Sequence, residues 1–282
     1  MKSVFGLRYR YRNAVLVAAF LFTSSTGFGH SAIDEQIRSV SIRINEAPTD
    51  YTLYLRRANL QRLHRNWDAS FADYAKAEEF GPQELTQDLD FYRGRVWFDA
   101  GNFKQARQAL DRFLKIRPDH YEARLTSART WVALGNTDAA AKDFTYALKL
   151  SKNPSPDLYL ERSASLASAG HNDEALDGIR EAIERIGPII TLVQFAVELE
   201  ESRNNYQAAQ LWIKMLPEAV RNQPGWIMQS GDLHAATEQT DSANKQWSAA
   251  LKALEALPAS RQNVPANISL REALEARLHT AD

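Results

Sequence analysis

Residues 94–118 read GRVWFDAGNFKQARQALDRFLKIRP. The pattern is two helical segments separated by a turn. Gly94 and Ala106 are the small residues that let two antiparallel helices approach closely. Gly101, between them, suits the left-handed backbone that ends one helix and opens the next. Leu110 and Phe113 lie one face round the second helix, where bulk fills a groove against whatever follows. Pro118 cannot continue that helix and closes the segment.

The same order recurs along the chain at a spacing of about 34 residues. Small residues matching Ala106 occur at Ser70, Ala140, Ala175, Ala209 and Ala243. Upstream, Ala58, Ala128, Ser163, Val197 and Gly231 match Gly94, with Ala196 a better fit than Val197 if the following loop holds one extra residue. The turn position reads Arg65, Gly101, Gly135, Gly170, Asn204 and Glu238. The bulky position reads Tyr74, Leu110, Phe144, Ile179, Ile213 and Trp247. One such helix pair cannot bury its own apolar stripe, so the units must stack on one another.

This pattern resembles the tetratricopeptide repeat family: Gly94, Trp97, Gly101, Ala106, Leu110 and Pro118 fit it nearly in full, and Gly135, Ala140, Phe144 and Ala147 repeat most of it. The resemblance implies an all-α fold, a right-handed α-solenoid of about six helix–turn–helix repeats over residues 51–257. The first, fifth and sixth units depart from the pattern, with Arg65, Asn204 and Glu238 where Gly is usual. Capping helices are expected at both ends. Ile33, Ile37, Val40 and Ile44 stand at helical spacing behind Asp34 within an N-terminal segment, 32–50. In a closing segment, 258–282, Ser269 and Glu272 form a capping-box pair ahead of Leu270, Leu274 and Leu278.

Composition agrees with helix and excludes other classes. The chain has 282 residues, 12 Gly and 10 Pro, with 44% hydrophobic and 24% charged residues. Collagen-like, linker-like and bulk-disordered chains do not have this balance. Residues 1–31 differ from the rest. Lys2, Arg8, Arg10 and Arg12 precede an apolar run from Ala14 to Phe22, followed by small and polar residues to Gly29. That order predicts a signal peptide cleaved near 29–32, and the apolar run is too short for a bilayer span of about 20 residues. Its removal leaves 30 bases against 35 acids, a net charge near −5. An acidic body argues against nucleic acid as partner. Absence of Cys excludes disulfides, thiolate metal sites and a lipid-modified cysteine. The expected address is the periplasm, with the extracellular space as the alternative.

No constellation for catalysis stands out. The histidines at 30, 64, 120, 171, 234 and 279 are isolated, and none pair at the spacing of a helical zinc site. No phosphate loop or nucleophile elbow is present, and no metal or cofactor is expected. Glu198, Glu200 and Glu201, followed by Arg203, read as a solvated acidic face with local charge pairing. The expected function is a non-enzymatic, exported protein–protein interaction scaffold. A self-associating envelope assembly factor is the alternative, and a hydrolase with a cryptic site a more distant one.

The resemblance also implies where a partner would sit, because in that family the first helix of each pair lines a concave groove for peptides or partner helices. With the second unit as template, the inward positions are Phe91, Arg95, Phe98 and Asp99. Their equivalents are Leu55, Asn59, Arg62 and Leu63 before, and Leu125, Arg129 and Val132 after. Asn59, Arg62, Phe91, Arg95, Phe98 and Arg129 therefore form the candidate partner-binding set. Guanidinium groups suit an extended peptide carrying carboxylates. The competing reading is that the arginines pair with Asp99 and Glu122 and hold the repeats together. The family's clamp for C-terminal carboxylates does not carry over: its positions read Leu55, Asn59, Tyr92, Glu122 and Thr126, of which Asn59 alone agrees.

Overall fold

A computed structural model describes residues 26–279, with side chains from residue 32 onward. Most of the expected signal peptide, residues 1–25, lies outside the described residues. All regular structure among them is helical, in sixteen helices. They fall into two compact units, divided between Lys152 and Asn153.

The first unit opens with α1 (Thr26–Glu46) and continues as three helical hairpins. These are α2 (Tyr51–Leu63) with α3 (Trp67–Phe80), α4 (Leu85–Asp99) with α5 (Phe103–Ile116), and α6 (Tyr121–Ala133) with α7 (Thr137–Leu150). The second unit holds three more hairpins: α8 (Pro156–Ser168) with α9 (Asn172–Ile186), α10 (Ile190–Ser202) with α11 (Tyr206–Met215), and α13 (Pro224–Ala236) with α14 (Thr240–Glu255). Short α12 (Glu218–Arg221) and α15 (Ala259–Gln262) are connectors, and α16 (Pro265–His279) closes the unit.

Every hairpin turns in the same way. Arg65, Gly101, Gly135, Gly170, Asn204 and Glu238 all have φ between 58° and 88°. The next residue then donates its N–H five residues back, as Asn66 does to Gln61 (2.8 Å) and Asn102 to Trp97 (2.8 Å). This bond satisfies a carbonyl that the helix end would leave orphaned. The geometry is uniform although three of the six positions are not Gly.

The small positions do what the spacing predicts. Ala58, Ser70, Ala106, Ala128, Ala140, Ser163, Ala175, Ala209 and Ala243 are fully buried where paired helices touch. Ser70 Oγ donates to the Ala58 carbonyl at 2.8 Å across the first pair. In the fifth unit both Ala196 and Val197 are fully buried, so that row accepts either alignment. Of the bulky series, Tyr74, Leu110, Phe144 and Ile179 are fully enclosed.

Both end helices bury apolar residues on the adjacent hairpin, as terminal repeats require. Val40 and Ile44 of α1 pack with Leu53, Tyr54 and Ala58 of α2. Leu274 of α16 is fully buried with Ala243, Trp247 and Ala250 of α14. Two expected helix starts move. The first helix is already formed at Thr26, ahead of Asp34, whose Oδ1 instead receives His64 Nε2 at 3.1 Å. The last begins at Pro265, not near Ser269, because proline at the first helical position brings a preset φ and lacks only an orphan N–H. Ser269 and Glu272 are thereby interior to the helix, and no capping box forms.

Candidate functional site

In the first unit, α2, α3 and α4 enclose a recess of about 320 Å³. Leu55, Arg56 and Asn59 come from α2, Tyr74 from α3, and Tyr92 and Arg95 from α4. Arg62, one turn beyond Asn59, fixes its edge. Its guanidinium donates to Asp99 of α4, and its Nε and Nη2 donate to Asn59 Oδ1 at 3.3 and 3.2 Å. A guanidinium can only donate, so Asn59 must turn its oxygen to Arg62 and direct its NH₂ elsewhere. The amide donors have no partner among the described residues.

Tyr74 is 2% exposed and stacks on Tyr92, with ring centroids 5.8 Å apart and an interplanar angle of 10°. Burial pushes its phenol up to about 12, against the opposing pull of Arg62 and Arg95. The hydroxyl is thus protonated at neutral pH and can donate. Arg95 is half-buried, its guanidinium 5.5 Å from the centre of the Phe91 ring. Burial, and next the charge of Arg62, lower its pKa, while Tyr74, Asp99 and Glu122 act the other way. It makes no hydrogen bond or ion pair with any described residue. The recess is therefore rich in donors, and no carboxylate lines it.

The candidate residues from the sequence separate into different roles. Asn59 and Arg95 line the recess, and Arg62 orients Asn59 from behind. Phe91 does not offer a contact surface: it is 6% exposed, packed on Phe113 (5.3 Å) and His120 (4.7 Å). The start of α6, with His120 and Ala123, closes over it. Phe98 is partly exposed and leans on Phe103 at 5.8 Å. Arg129 is exposed on α6 and lies outside the lining of the recess. Tyr74 was not among the expected binding residues because its register belongs to the packing series. The available signal was its phenol, where equivalent positions carry Leu110, Phe144 and Ile179.

A second recess in this unit, about 280 Å³, has a different chemistry. Arg107 lies 4.8 Å from the Trp131 ring centre and donates to Ser127 and Asp111. Asp143 accepts from Ser127 and from Arg124 at 2.9 Å. Arg107, Asp111, Arg124 and Asp143 answer one another, which makes them a structural network, while the exposed Lys115 of the same lining stands outside it.

In the second unit the three acids of α10 do not share one solvated face. Glu200 is 3% exposed and accepts from Asn205 Nδ2 at 3.1 Å and Arg203 Nη1 at 3.5 Å, tying down the turn. Glu198 accepts from Gln194 at 2.7 Å, and Glu201 from Gln229 at 3.3 Å. Among the described residues no three His, Asp or Glu side chains are grouped so as to hold a metal ion. No helix among them is long and apolar enough to cross a membrane.

Paired helices, turns of one geometry and small residues at each crossing define a helical-hairpin repeat protein. The Tetratricopeptide repeat family model matches residues 98–142, from the end of α4 into α7. The chain as a whole shares the helical-hairpin repeat fold of tetratricopeptide repeat proteins. No curated protein matches its sequence. Among solved structures it is similar to the C-terminal part of a TPR repeat-containing protein from Cytophaga hutchinsonii, at 12% identity and a TM-score of 0.65, covering 86% of this chain and 96% of that one. It is similar also to a tetratricopeptide repeat protein from Parabacteroides merdae, at 15% identity and a TM-score of 0.50, covering 90% and 94%. A third similarity is to MamA protein, at 18% identity and a TM-score of 0.50, covering 60% and 92%. Identities this low establish shared fold alone.

Proposed function

We propose that the protein is an exported, non-enzymatic scaffold that holds a segment of a partner protein against α2, α4 and α6 of its first unit. The observation that carries this reading is the half-buried guanidinium of Arg95, which has no hydrogen-bond or ion-pair partner among the described residues, in a recess lined by Asn59, Tyr74 and Tyr92. Burying a charge in this way costs stability unless something compensates it. The neighbouring charged network of Arg107, Asp143 and Arg124 is by contrast internally paired. Binding without catalysis is supported by a chain whose described length is taken up by hairpins and their caps. Export to the periplasm is supported by the basic, apolar and small-residue order of residues 1–29.

A pull-down from envelope extract, comparing the wild type with Arg95→Glu plus Arg129→Glu, tests the groove. The expected result is one or more partners captured by the wild type and lost from the double variant. An unchanged set of partners would rule the groove out. For export, the mature chain is expected to begin between residues 28 and 33. An intact Met1 in the envelope fraction would contradict cleavage.

A further inference from the structure

We infer that the recess at Asn59, Tyr74 and Arg95 is a subsite for one acidic side chain, Asp or Glu, carried within the run of an extended partner segment. The inference rests on the groove reading above and makes its chemistry specific. Three observations support it. The first is the inventory of polar groups. Asn59 presents its NH₂ because Arg62 occupies its oxygen, Tyr74 keeps its proton, and Arg95 and the exposed Arg56 can only donate. A donor set of this kind leaves a neutral carbonyl with excess donors, whereas a carboxylate has about four lone-pair sites to receive them. The planar fork of Arg95 also matches a carboxylate edge to edge.

The second observation concerns the nearby acids. Asp99 is engaged by Arg62 and so cannot neutralise Arg95 directly. Glu122 is exposed, acts on Arg95 more weakly than Asp99 does, and is not hydrogen-bonded to it. Arg62 accordingly raises the cost of charge on Arg95, which an incoming anion relieves. The third is size. About 320 Å³ is at the small end of ligand pockets, which run from about 300 to 1,000 Å³, so the recess takes a side chain and not a folded element. Leu55 and the stacked Tyr92 supply apolar wall for the methylene stem.

The occupant is an internal acidic residue and not a chain terminus, because the residues a terminal clamp would need are Leu55, Tyr92 and Glu122 instead of donors. The test is selection on the full mature protein from a library of random ten-residue peptides, flanked on both sides by Gly-Ser linkers so that no free end is offered. The selection is repeated on Arg95→Gln and Asn59→Ala, each checked for an unchanged helical circular dichroism spectrum. If either variant fails that check, the charge-preserving Arg95→Lys replaces it, since Lys keeps the charge and loses the fork. The expected result is enrichment of Asp or Glu at one fixed position. Affinity for the selected peptide should fall about 10-fold or more in the variants, as expected for losing hydrogen bonds to a charged group, and similarly when its acid is changed to the amide. Enriched peptides without an acidic preference, or an affinity unchanged in the variants, would overturn the subsite and leave the groove reading standing. Binding that appears only when the same library is displayed with a free C-terminus would overturn the internal side chain as occupant. No enrichment in either format would contradict subsite and groove together.

Discussion

Arg62 of α2 and Asp99 of α4, 37 residues apart, form an ion pair that joins the first helices of two successive hairpins. The pair also sets Asn59, since the rest of the Arg62 guanidinium holds the Asn59 oxygen. One interaction thus links repeat packing to the orientation of a candidate binding group. Of the two roles considered for groove arginines, pairing between repeats falls to Arg62, and meeting a ligand is the role proposed for Arg95.

Asp99→Asn removes the charge opposite Arg62. The Arg62 side chain is 10% exposed and that of Asp99 31%, so the pair lies between an exposed bridge and a buried one. A loss of about 1–2 kcal/mol is expected, above the surface median and below the cost of breaking a fully buried pair. Urea unfolding measures it. A loss below about 0.3 kcal/mol would mean that the pair is screened like an ordinary surface bridge.

The turn geometry gives a prediction with both signs. Arg65, Asn204 and Glu238 hold φ of 62°, 58° and 60°, a region unfavourable for side chains with a Cβ. Arg65→Gly and Glu238→Gly should each stabilise by about 0.5–1 kcal/mol, the relief of strain less the added freedom of the unfolded chain. Asn204→Gly should gain less, because Asn tolerates this conformation. Gly101→Ala should cost about 1 kcal/mol through backbone strain alone, since a Cβ there meets nothing within 4 Å. Thermal melts of the four variants check the order.

Gly231→Ala tests the helix crossings by sterics instead. A Cβ at Gly231 would stand 2.6 Å from Cδ1 and Nε1 of Trp247, whose Nε1 donates to Asp232 at 2.9 Å. The ring must move, at a cost of about 1–3 kcal/mol. Gly94→Ala meets Leu110 at 3.0 Å and should cost less. Tryptophan fluorescence is expected to shift in the first variant, with both melting below the wild type.

Glu201 supplies a pH dependence. Burial, and next the repulsion of Glu198 and Asp232, raise its pKa, while the hydrogen bond from Gln229 opposes them. Its folded pKa lies above the unfolded value, so the folded state holds the proton more tightly. Stability from this group is present at acid pH and is lost as pH rises through the raised pKa. Glu201→Gln keeps an oxygen for Gln229 and removes the charge. It should raise stability at pH 7 by up to about 1 kcal/mol, given its partial exposure, and have little effect at pH 4. An equal gain at both pH values would assign the effect to packing.

The periodic part of this fold is legible in the sequence because it depends on residue size and backbone conformation at fixed spacing. Even Arg65, Asn204 and Glu238, unlike Gly in chemistry, were marked as turns by register. Helix starts were less legible: Ser269 and Glu272 matched a capping pattern, yet Pro265 four residues earlier begins the helix. The recess was legible only in part. Asn59 and Arg95 follow from their register, but which donors remain unengaged depends on pairs distant in sequence, such as Arg62 with Asp99. Arg107 shows the same limit. It sits where other units carry Phe71, Ala141, Leu176, Gln210 and Asn244, a position whose chemistry varies from unit to unit. Its partners Ser127 and Asp143 come from the following hairpin.

Binding at the recess of Asn59 and Arg95 is tested most directly by site-specific photo-cross-linking in cells. A benzoyl-phenylalanine placed at exposed Arg56 borders the recess; others at Lys115 and Leu211 sample the charged network and the second unit. Partner adducts should form from position 56, be suppressed by Arg95→Glu, and be weak or missing from 115 and 211. Adducts from 115 or 211 with none from 56, or adducts from 56 that persist unchanged with Arg95→Glu, would contradict it.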